Sequence, residues 1–150
     1  LDEYETQPND MIFVISNSGV NQTPVEMAIE AKHRQLTVVA LCSIEYAKQA
    51  PLSKLGVRLY EVADYTIDNC GLPGDGLYPI EGTPWRTGAS STIIGAMIWQ
   101  SLLANTFELL QKRSTDLPIF ASYNVKGAAD HNRDILKKWS KRNPHLRSKE

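Results

Sequence analysis

The amino-acid sequence predicts an α/β fold in which a parallel sheet is flanked by helices. Two apolar runs, 11–15 and 36–42, suit strands that are buried on both faces. The segment 23–34 between them has apolar residues on one side of a helix and charged residues on the other. Two buried strands joined by a helix form a parallel, right-handed β-α-β unit. A further run, 65–67, predicts a third strand.

The helix between the first two strands is predicted to begin at Thr23. Thr23 suits the N-cap, Pro24 suits the first helical position, and Glu26 completes a capping box. The preceding loop, 16–22, consists of short hydrogen-bonding side chains, one valine and Gly19, which can adopt a positive φ. A helix N-terminus has unpaired N–H groups and partial positive charge. Such a loop can therefore hold a phosphate without a lysine or arginine.

The middle of the chain predicts a short helix and a long loop. Ser43 ends the second strand and begins a helix at 44–49. The segment 71–88 is rich in glycine and proline, which predicts a loop with a short extended piece at 77–80. Long loops of this kind are often lids or binding loops, so functional residues are expected here.

The C-terminal third predicts two helices and one strand. A helix over 91–113 is apolar on most of its circumference, so a second subunit or an N-terminal segment absent from this sequence is expected to cover it. Residues 117–122 predict an edge strand, because Pro118 cannot donate to a ladder. A basic helix is expected at 133–142, and 133–150 carry seven Lys or Arg against two acids.

Composition excludes several functional classes. The chain has 150 residues, 42% of them hydrophobic and 22% charged, as in a one-domain globular protein. Its net charge of −1 argues against bulk binding to nucleic acid. No apolar run suggests a membrane span or a signal peptide, so a cytoplasmic location is expected. The two cysteines are expected to be reduced, and neither metal-ligand spacing nor a cofactor fingerprint is present, so no metal and no cofactor are expected.

Two strings of the sequence resemble one protein family. The string Ser16-Asn17-Ser18-Gly19-x-Asn21, directly after an apolar strand, resembles the phosphate loop of the sugar isomerase (SIS) domain family. The strings SNSGVNQTPVEMAIEAK and RLYEVADYTIDNCG resemble an uncharacterised branch of it that is similar to phosphoheptose isomerase. The resemblance implies a Rossmann-like three-layer sandwich, with an SIS domain over 1–132 and a basic tail over 133–150. Similar proteins have an earlier strand, loop and helix, so the chain is expected to be truncated at its N-terminus.

The resemblance also implies a set of ligand-binding residues. The phosphate is expected to bind the loop residues Ser16, Asn17, Ser18, Gly19 and Asn21. Sugar contacts are expected from Ser43, Ser91 and Thr92. Each of these also has an alternative role as an ordinary helix cap. Glu81 is the candidate catalytic base, with a solvated loop carboxylate as its alternative.

The implied function is binding of a sugar phosphate, with aldose–ketose isomerisation through an enediol as the expected reaction. The alternative is a non-catalytic phosphosugar sensor, since the same domain reads ligands in bacterial regulators. A nucleotide-binding domain is disfavoured because Cys42 and Ser43, rather than an acid, end the second strand. The expected partners are a sugar phosphate and a second copy of the chain, docked through helix 91–113. No membrane or nucleic-acid partner is expected.

Overall fold

The computed structural model describes residues 1–114 and 116–144, which form two compact units. The larger unit is Gln7–Leu102, and the other consists of Leu1–Thr6 together with the chain from Leu103 onward. The division falls inside a long helix. The domain boundary expected at 132 comes from the family resemblance and stays a prediction. The basic tail lies within the described residues only as far as 144.

The larger unit contains the parallel sheet that the sequence predicts. Its strands are β1 (Met11–Ile15), β2 (Thr37–Cys42) and β3 (Tyr65–Asp68), in the order β1-β2-β3. Both pairs are parallel. β2 is almost completely buried, as its continuous apolar sequence predicts. The prediction that β1 is buried on both faces is wrong: Met11 is 60% exposed and Ile15 is 56% exposed. The reason is that β1 lies at the edge of this three-stranded sheet.

Helices connect the strands and pack against the sheet. They are α1 (Gln22–His33), α2 (Ile44–Gln49) and α3 (Leu59–Val62), followed by the long α4 (Ser91–Gln111). The helices α1 and α3 contact each other and β2. On one face of the sheet, Phe13 packs edge-to-face on Trp99 of α4, with ring centroids 5.0 Å apart. Cys42, which points to the opposite face from Leu41, lies beside the loop after β1. Other elements thus pack on both faces of the sheet, in agreement with an α/β fold, although Ile15, on the same face as Phe13, stays 56% exposed.

The start of α1 differs from its prediction. The helix begins at Gln22, and the N-cap is Asn21, whose backbone is extended. Pro24 therefore lies in the first turn at the third helical position, where its missing N–H costs no intrahelical bond. Glu26 accepts a hydrogen bond from Gln22 Nε2 at 2.7 Å and forms no capping box with Thr23.

The loop predicted at 71–88 contains a β-hairpin. Its strands are β4 (Gly76–Pro79) and β5 (Arg86–Ala89), and they pair antiparallel. The Arg86 guanidinium donates to the carbonyl oxygens of Gly76 and Leu77, which ties the strands together. A Cβ at Gly76 would lie 2.6 Å from the Arg86 Cβ, so the close approach requires glycine. The sequence indicates only the first strand, because β5 has no apolar pattern.

The helix α4 confirms the long helix expected from the sequence, although it ends at Gln111. It is long and apolar enough to cross a bilayer, by length and composition alone. A single helix of this kind is weak evidence for a span, since core helices of soluble proteins meet the same criteria. Its first half also packs on the sheet through Trp99 and Gly95. Its outer side remains exposed, with Ile93 at 75% and Met97 at 62%.

The smaller unit contains α5 (Ala128–Trp139), which begins five residues earlier than expected. The prediction of a strand at 117–122 is wrong. The buried Asn132 side chain replaces a partner strand: its Nδ2 donates to Ala121 O, and its Oδ1 accepts from Ala121 N, both at 2.8 Å. His131 Nε2 lies 2.7 Å from Ile119 O. The segment is held by side chains of α5, so it needs no β-ladder.

Candidate functional site

The three parallel strands end at one edge of the sheet, and the residues after them come together there. Ser16 N donates to Leu41 O at 3.0 Å, and Ser43 N donates to Asn17 O at 2.9 Å. Asn69 N donates to Cys42 O at 3.0 Å. Open α/β sheets bind ligands outside the carboxyl ends of their strands. The loop 16–21, which we call the β1–α1 loop, therefore lies at the expected position for a ligand.

The β1–α1 loop turns sharply at Gly19. Its φ is +60°, and its N–H donates to Ser16 O at 2.9 Å. The Gly19 carbonyl accepts from Leu59 N at 2.7 Å. A Cβ at this position would lie 3.2 Å from the Ala47 Cβ, so the loop is packed directly on α2. Both the backbone angle and the packing require glycine here.

Two polar atoms of the loop are buried without a hydrogen-bond partner in the described part of the chain. They are Ser16 Oγ and Asn17 Nδ2. The Asn17 carboxamide is otherwise engaged, because its Oδ1 accepts from Asn69 Nδ2 at 2.8 Å. A buried polar group that lacks a partner costs about 1–3 kcal/mol. Two adjacent polar atoms in this state need an explanation, and an acceptor from a ligand or from water would satisfy both.

The N-terminus of α1 is open to an anion. Asn21 makes no side-chain cap bond, its side chain is exposed, and the first turn of the helix contains no acidic residue. The first-turn N–H groups of Gln22 and Thr23 have no acceptor within the helix. The loop residue Ser18, half-buried, lies just before this turn. The partial positive charge of the helix end is therefore not neutralised by side chains.

The other described helices begin differently. Ser43 caps α2, and the first turns of α2, α3 and α5 contain Glu45, Glu61 and Asp130. At the start of α4, the Asp75 carboxylate accepts hydrogen bonds from Ser91 N at 2.9 Å and from Ser91 Oγ at 2.6 Å. Among the five helices in the described ranges, α1 is the one that has neither a side-chain cap nor a carboxylate at its N-terminus.

Ser43 is used inside the protein. It is fully buried, accepts from Tyr46 N at 3.1 Å and donates to Gly71 O at 2.6 Å. This is the capping alternative that the sequence left open. The hydroxyl of Ser43 is therefore hydrogen-bonded to the Gly71 carbonyl within the protein. A direct contact of Ser43 with a sugar stays a prediction.

Ser91 and Thr92 begin α4, as predicted, but the Ser91 hydroxyl proton is donated to Asp75. Burial tends to raise the pKa of Asp75, but the hydrogen bonds from Ser91 and Ser90 outweigh burial and hold it below its usual value of 3.8. Asp75 is therefore a capping anion rather than a base near neutral pH. Thr92 is exposed. Contacts of either residue with a sugar remain predictions.

Glu81 lies in the turn between β4 and β5, with an exposed side chain. The turn is closed by Ile80 N donating to Trp85 O at 3.0 Å. This places Glu81 at the tip of the hairpin, and its catalytic role stays a prediction.

Asn69 is a site residue that the sequence analysis missed. Its side chain is buried, and it bridges Asn17 and Gly71. The signal was available: Asn69 follows the third strand, much as Ser16 follows the first and Ser43 the second.

Cys42 is a core residue. Cys42 is buried, and burial, with a smaller contribution from the Asp68 charge, raises its pKa to about 11. It is therefore a neutral thiol at physiological pH. Within residues 1–114 and 116–144, no three His, Cys, Asp or Glu side chains come together as metal ligands.

Comparison with known proteins identifies relatives along almost the whole chain. The SIS domain profile matches residues 1–43, which include the β1–α1 loop. The chain is 40% identical over 150 residues to a UPF0309 protein of Caldanaerobacter subterraneus subsp. tengcongensis, covering 97% of this chain and 61% of the relative. It is 33% identical over 147 residues to a UPF0309 protein of Geobacillus thermodenitrificans, covering 97% and 59%.

A UPF0309 protein of Oceanobacillus iheyensis is 35% identical over 140 residues, covering 93% of this chain and 57% of the relative. The chain thus spans 57–61% of the length of these three curated relatives. The profile match includes the loop with the two unpartnered donors, and the fold is the α/β arrangement expected of such a domain. The chain is therefore similar to SIS-domain proteins over residues 1–43 and to UPF0309 proteins over almost its whole length.

Proposed function

We propose that the protein binds a phosphorylated sugar, with the phosphate held by the β1–α1 loop. The observation that carries this proposal is the pair of buried, unpartnered donors, Ser16 Oγ and Asn17 Nδ2, beside the uncapped N-terminus of α1. A phosphate dianion supplies several strong acceptors, which these donors lack. The dipole of α1 and the first-turn N–H groups favour negative charge at the same place.

The phosphate is bound by dipoles rather than by ion pairs. Residues 16–23 contain no charged side chain. Ser18 and Asn21 line the mouth of the loop as additional donors, and Gly19, with its positive φ, gives the loop the sharp turn that packs it on α2. The sugar extends from this loop along the carboxyl edge of the sheet.

Calorimetric titration with inorganic phosphate, and with pentose, hexose and heptose phosphates, tests this proposal. Ser16→Ala removes one unpartnered hydroxyl. We expect it to weaken phosphate binding about tenfold, the value of one hydrogen bond to a charged group. The same variant leaves the unliganded protein equally or more stable, because it removes a buried group that lacks a partner.

Ser53→Ala is the matched control, since Ser53 Oγ is already used by Leu55 N in a different loop. It should leave phosphate affinity unchanged. Equal affinities of Ser16→Ala and wild type, or an absence of binding at millimolar phosphate, would refute the proposed site.

Isomerisation is the finer proposal, with Glu81 as the base. It predicts exchange of the proton beside the carbonyl of a bound sugar phosphate, observed by NMR in deuterated water. Glu81→Gln should abolish this exchange while leaving phosphate affinity intact. Binding without any exchange in the wild type supports the sensor alternative, in which the same site only reads the ligand.

We further propose that a second copy of the chain covers the exposed side of α4, through Ile93 and Met97. Exposed apolar side chains of this size, adjacent on one helix face, are typical of an interface. The first half of α4 is already anchored to the sheet by Trp99, which leaves this outer side for a partner. We also propose a cytoplasmic location, without a membrane or nucleic-acid partner.

A further inference from the structure

We propose that Asn69 is a positioning residue that fixes the orientation of the Asn17 carboxamide in the β1–α1 loop. This inference rests on the proposed function, since it concerns how Asn17 presents a donor to the phosphate. Asn69 does not itself contact the phosphate. It acts through the Asn17 side chain, to which it is hydrogen-bonded across 52 positions of sequence.

The problem that Asn69 solves is the symmetry of a carboxamide. The oxygen and the NH2 group of Asn17 have nearly the same shape, but only the NH2 group attracts a phosphate. If the Asn17 side chain turned by half a rotation, its oxygen would face the dianion and repel it. A loop that contains no charged side chain has no cation to compensate for such an error.

The orientation is set by a backbone group, whose role as a donor is unambiguous. Gly71 N–H donates to Asn69 Oδ1 at 2.9 Å, so the oxygen of Asn69 faces Gly71. The NH2 group of Asn69 must then point the other way, and it donates to Asn17 Oδ1 at 2.8 Å. Asn17 is left with its Nδ2 free of any partner in the described chain. The Gly71 N–H therefore sets the orientation of the Asn69 carboxamide, and Asn69 in turn sets the orientation of the Asn17 carboxamide.

The surroundings keep this chain of bonds rigid. Asn69 is 7% exposed, and its own N–H continues the ladder to Cys42 O. Gly71 is held by Ser43, whose hydroxyl donates to the Gly71 carbonyl at 2.6 Å. A Cβ at Gly71 would lie 3.0 Å from Asn69 Oδ1 and 3.3 Å from Asn17 Oδ1, so both oxygens are packed against this glycine. Ser43 therefore contributes to the site through Gly71 and Asn69.

A double-mutant cycle separates this role from a general effect on the fold. Phosphate affinity is measured by calorimetry for wild type, Asn17→Ala, Asn69→Ala and the double variant. We expect Asn69→Ala alone to weaken phosphate binding about five- to tenfold, because the Asn17 carboxamide is then free to rotate. In the Asn17→Ala background, the same change should alter affinity by less than about twofold.

Asn69→Asp is the second variant, and it keeps the bond to Gly71 N–H if Asn69→Ala fails to fold. A carboxylate offers only acceptors, so Asn17 must turn its NH2 group inward and its oxygen toward the phosphate. We expect a larger loss of affinity than for Asn69→Ala. The added negative charge of Asn69→Asp acts on the phosphate whether or not Asn17 is present. Comparing this change in the wild-type and Asn17→Ala backgrounds therefore subtracts the direct effect of the charge.

The outcomes distinguish the two proposals. If changing Asn69 costs the same affinity in the wild-type background as in the Asn17→Ala background, or costs none in either, the positioning role is overturned while the phosphate site stands. If the wild-type chain binds neither inorganic phosphate nor any sugar phosphate, the proposed function is overturned and the assignment of Asn69 with it.

Discussion

At the scale of single residues, the candidate site depends on tightly packed residues. Gly19 combines a left-handed backbone with a Cβ position only 3.2 Å from Ala47. Cys42 lies next to this contact, and its burial raises its pKa and keeps the thiol protonated. Both residues shape the packing of the loop on α2, and each leads to a measurable prediction.

We predict that Gly19→Ala destabilises the protein more than Gly56→Ala. Both glycines have positive φ, where an L-residue costs about 1–2 kcal/mol. At Gly56 a Cβ would meet nothing within 4 Å, whereas at Gly19 it presses on Ala47. Urea unfolding followed by circular dichroism gives both free energies of unfolding. Equal losses would mean that the packing of the loop on α2 has no energetic effect.

We predict that stability falls as the pH rises from 9 to 11, and that part of this fall comes from Cys42. Its pKa is raised from 9.0 to about 11 in the folded protein, so the folded state retains a proton that the unfolded chain loses in this range. The contribution is fully present below pH 9 and amounts to roughly 2–3 kcal/mol, at about 1.36 kcal/mol per pKa unit. Urea unfolding of wild type and Cys42→Ala between pH 8 and 11 isolates it. Parallel pH profiles would contradict the prediction.

At the scale of elements, some hydrogen bonds come from side chains that are distant in sequence. Such bonds cap the start of a helix and hold the irregular segment 117–122 in place. Asp75 caps α4 from the preceding hairpin segment, and Asn132 holds Ala121 from α5. In contrast, the N-terminus of α1 lacks such a group. The difference between α4 and α1 explains why the anion site is assigned to α1: at α4 a carboxylate of the protein already occupies the equivalent position.

We predict that Asp75→Ala lowers the free energy of unfolding by about 1–2 kcal/mol, the usual value of an N-cap. Because the pKa of Asp75 is lowered on folding, its contribution is present above pH 3.8 and is lost as the pH falls through the folded pKa. Glu108→Ala is the control, since Glu108 is exposed on the same helix, far from its N-terminus, and pairs with Lys112. It should cost less than about 0.5 kcal/mol. Similar losses for the two variants at neutral pH would argue against capping by Asp75.

At the scale of the whole molecule, the sequence predicts the elements whose pattern is local. The three parallel strands, the β-α-β unit and the long helix are all found, because apolar runs and helical periodicity are read directly along the chain. The elements that were predicted wrongly or not at all depend on contacts between residues that are distant in sequence. The strand β5 depends on Arg86 reaching across to Gly76, and the segment 117–122 remains irregular because Asn132 replaces a partner strand.

The same distinction applies to the candidate site. The β1–α1 loop is recognisable because strand, polar loop and helix are contiguous in sequence. The hydrogen bonds of Ser43 and Ser91 to Gly71 and Asp75 are not visible in a local pattern, nor is the bridge made by Asn69. Sequence reasoning therefore proposes a candidate site but does not identify which of its hydroxyls are free of partners within the protein.

We predict that the protein forms a dimer in solution and that Met97→Lys dissociates it. A lysine charge on the exposed side of α4 would have to be buried by the second copy. Leu52→Lys, which replaces an exposed leucine elsewhere, is the control and should leave the dimer intact. Sedimentation velocity at micromolar concentrations measures the difference. A wild-type protein that sediments as a monomer would contradict the assignment of α4.

The absence of charged side chains from residues 16–23 also has a kinetic consequence. Fixed dipoles act over a few ångströms, and the net charge of the chain is only −1, so an approaching dianion is not steered from a distance. We therefore expect its association rate constant to vary little with ionic strength, in contrast to pockets lined by lysine or arginine. Stopped-flow measurements in about 20 mM and about 200 mM sodium chloride would reveal whether capture depends on contact rather than on long-range attraction.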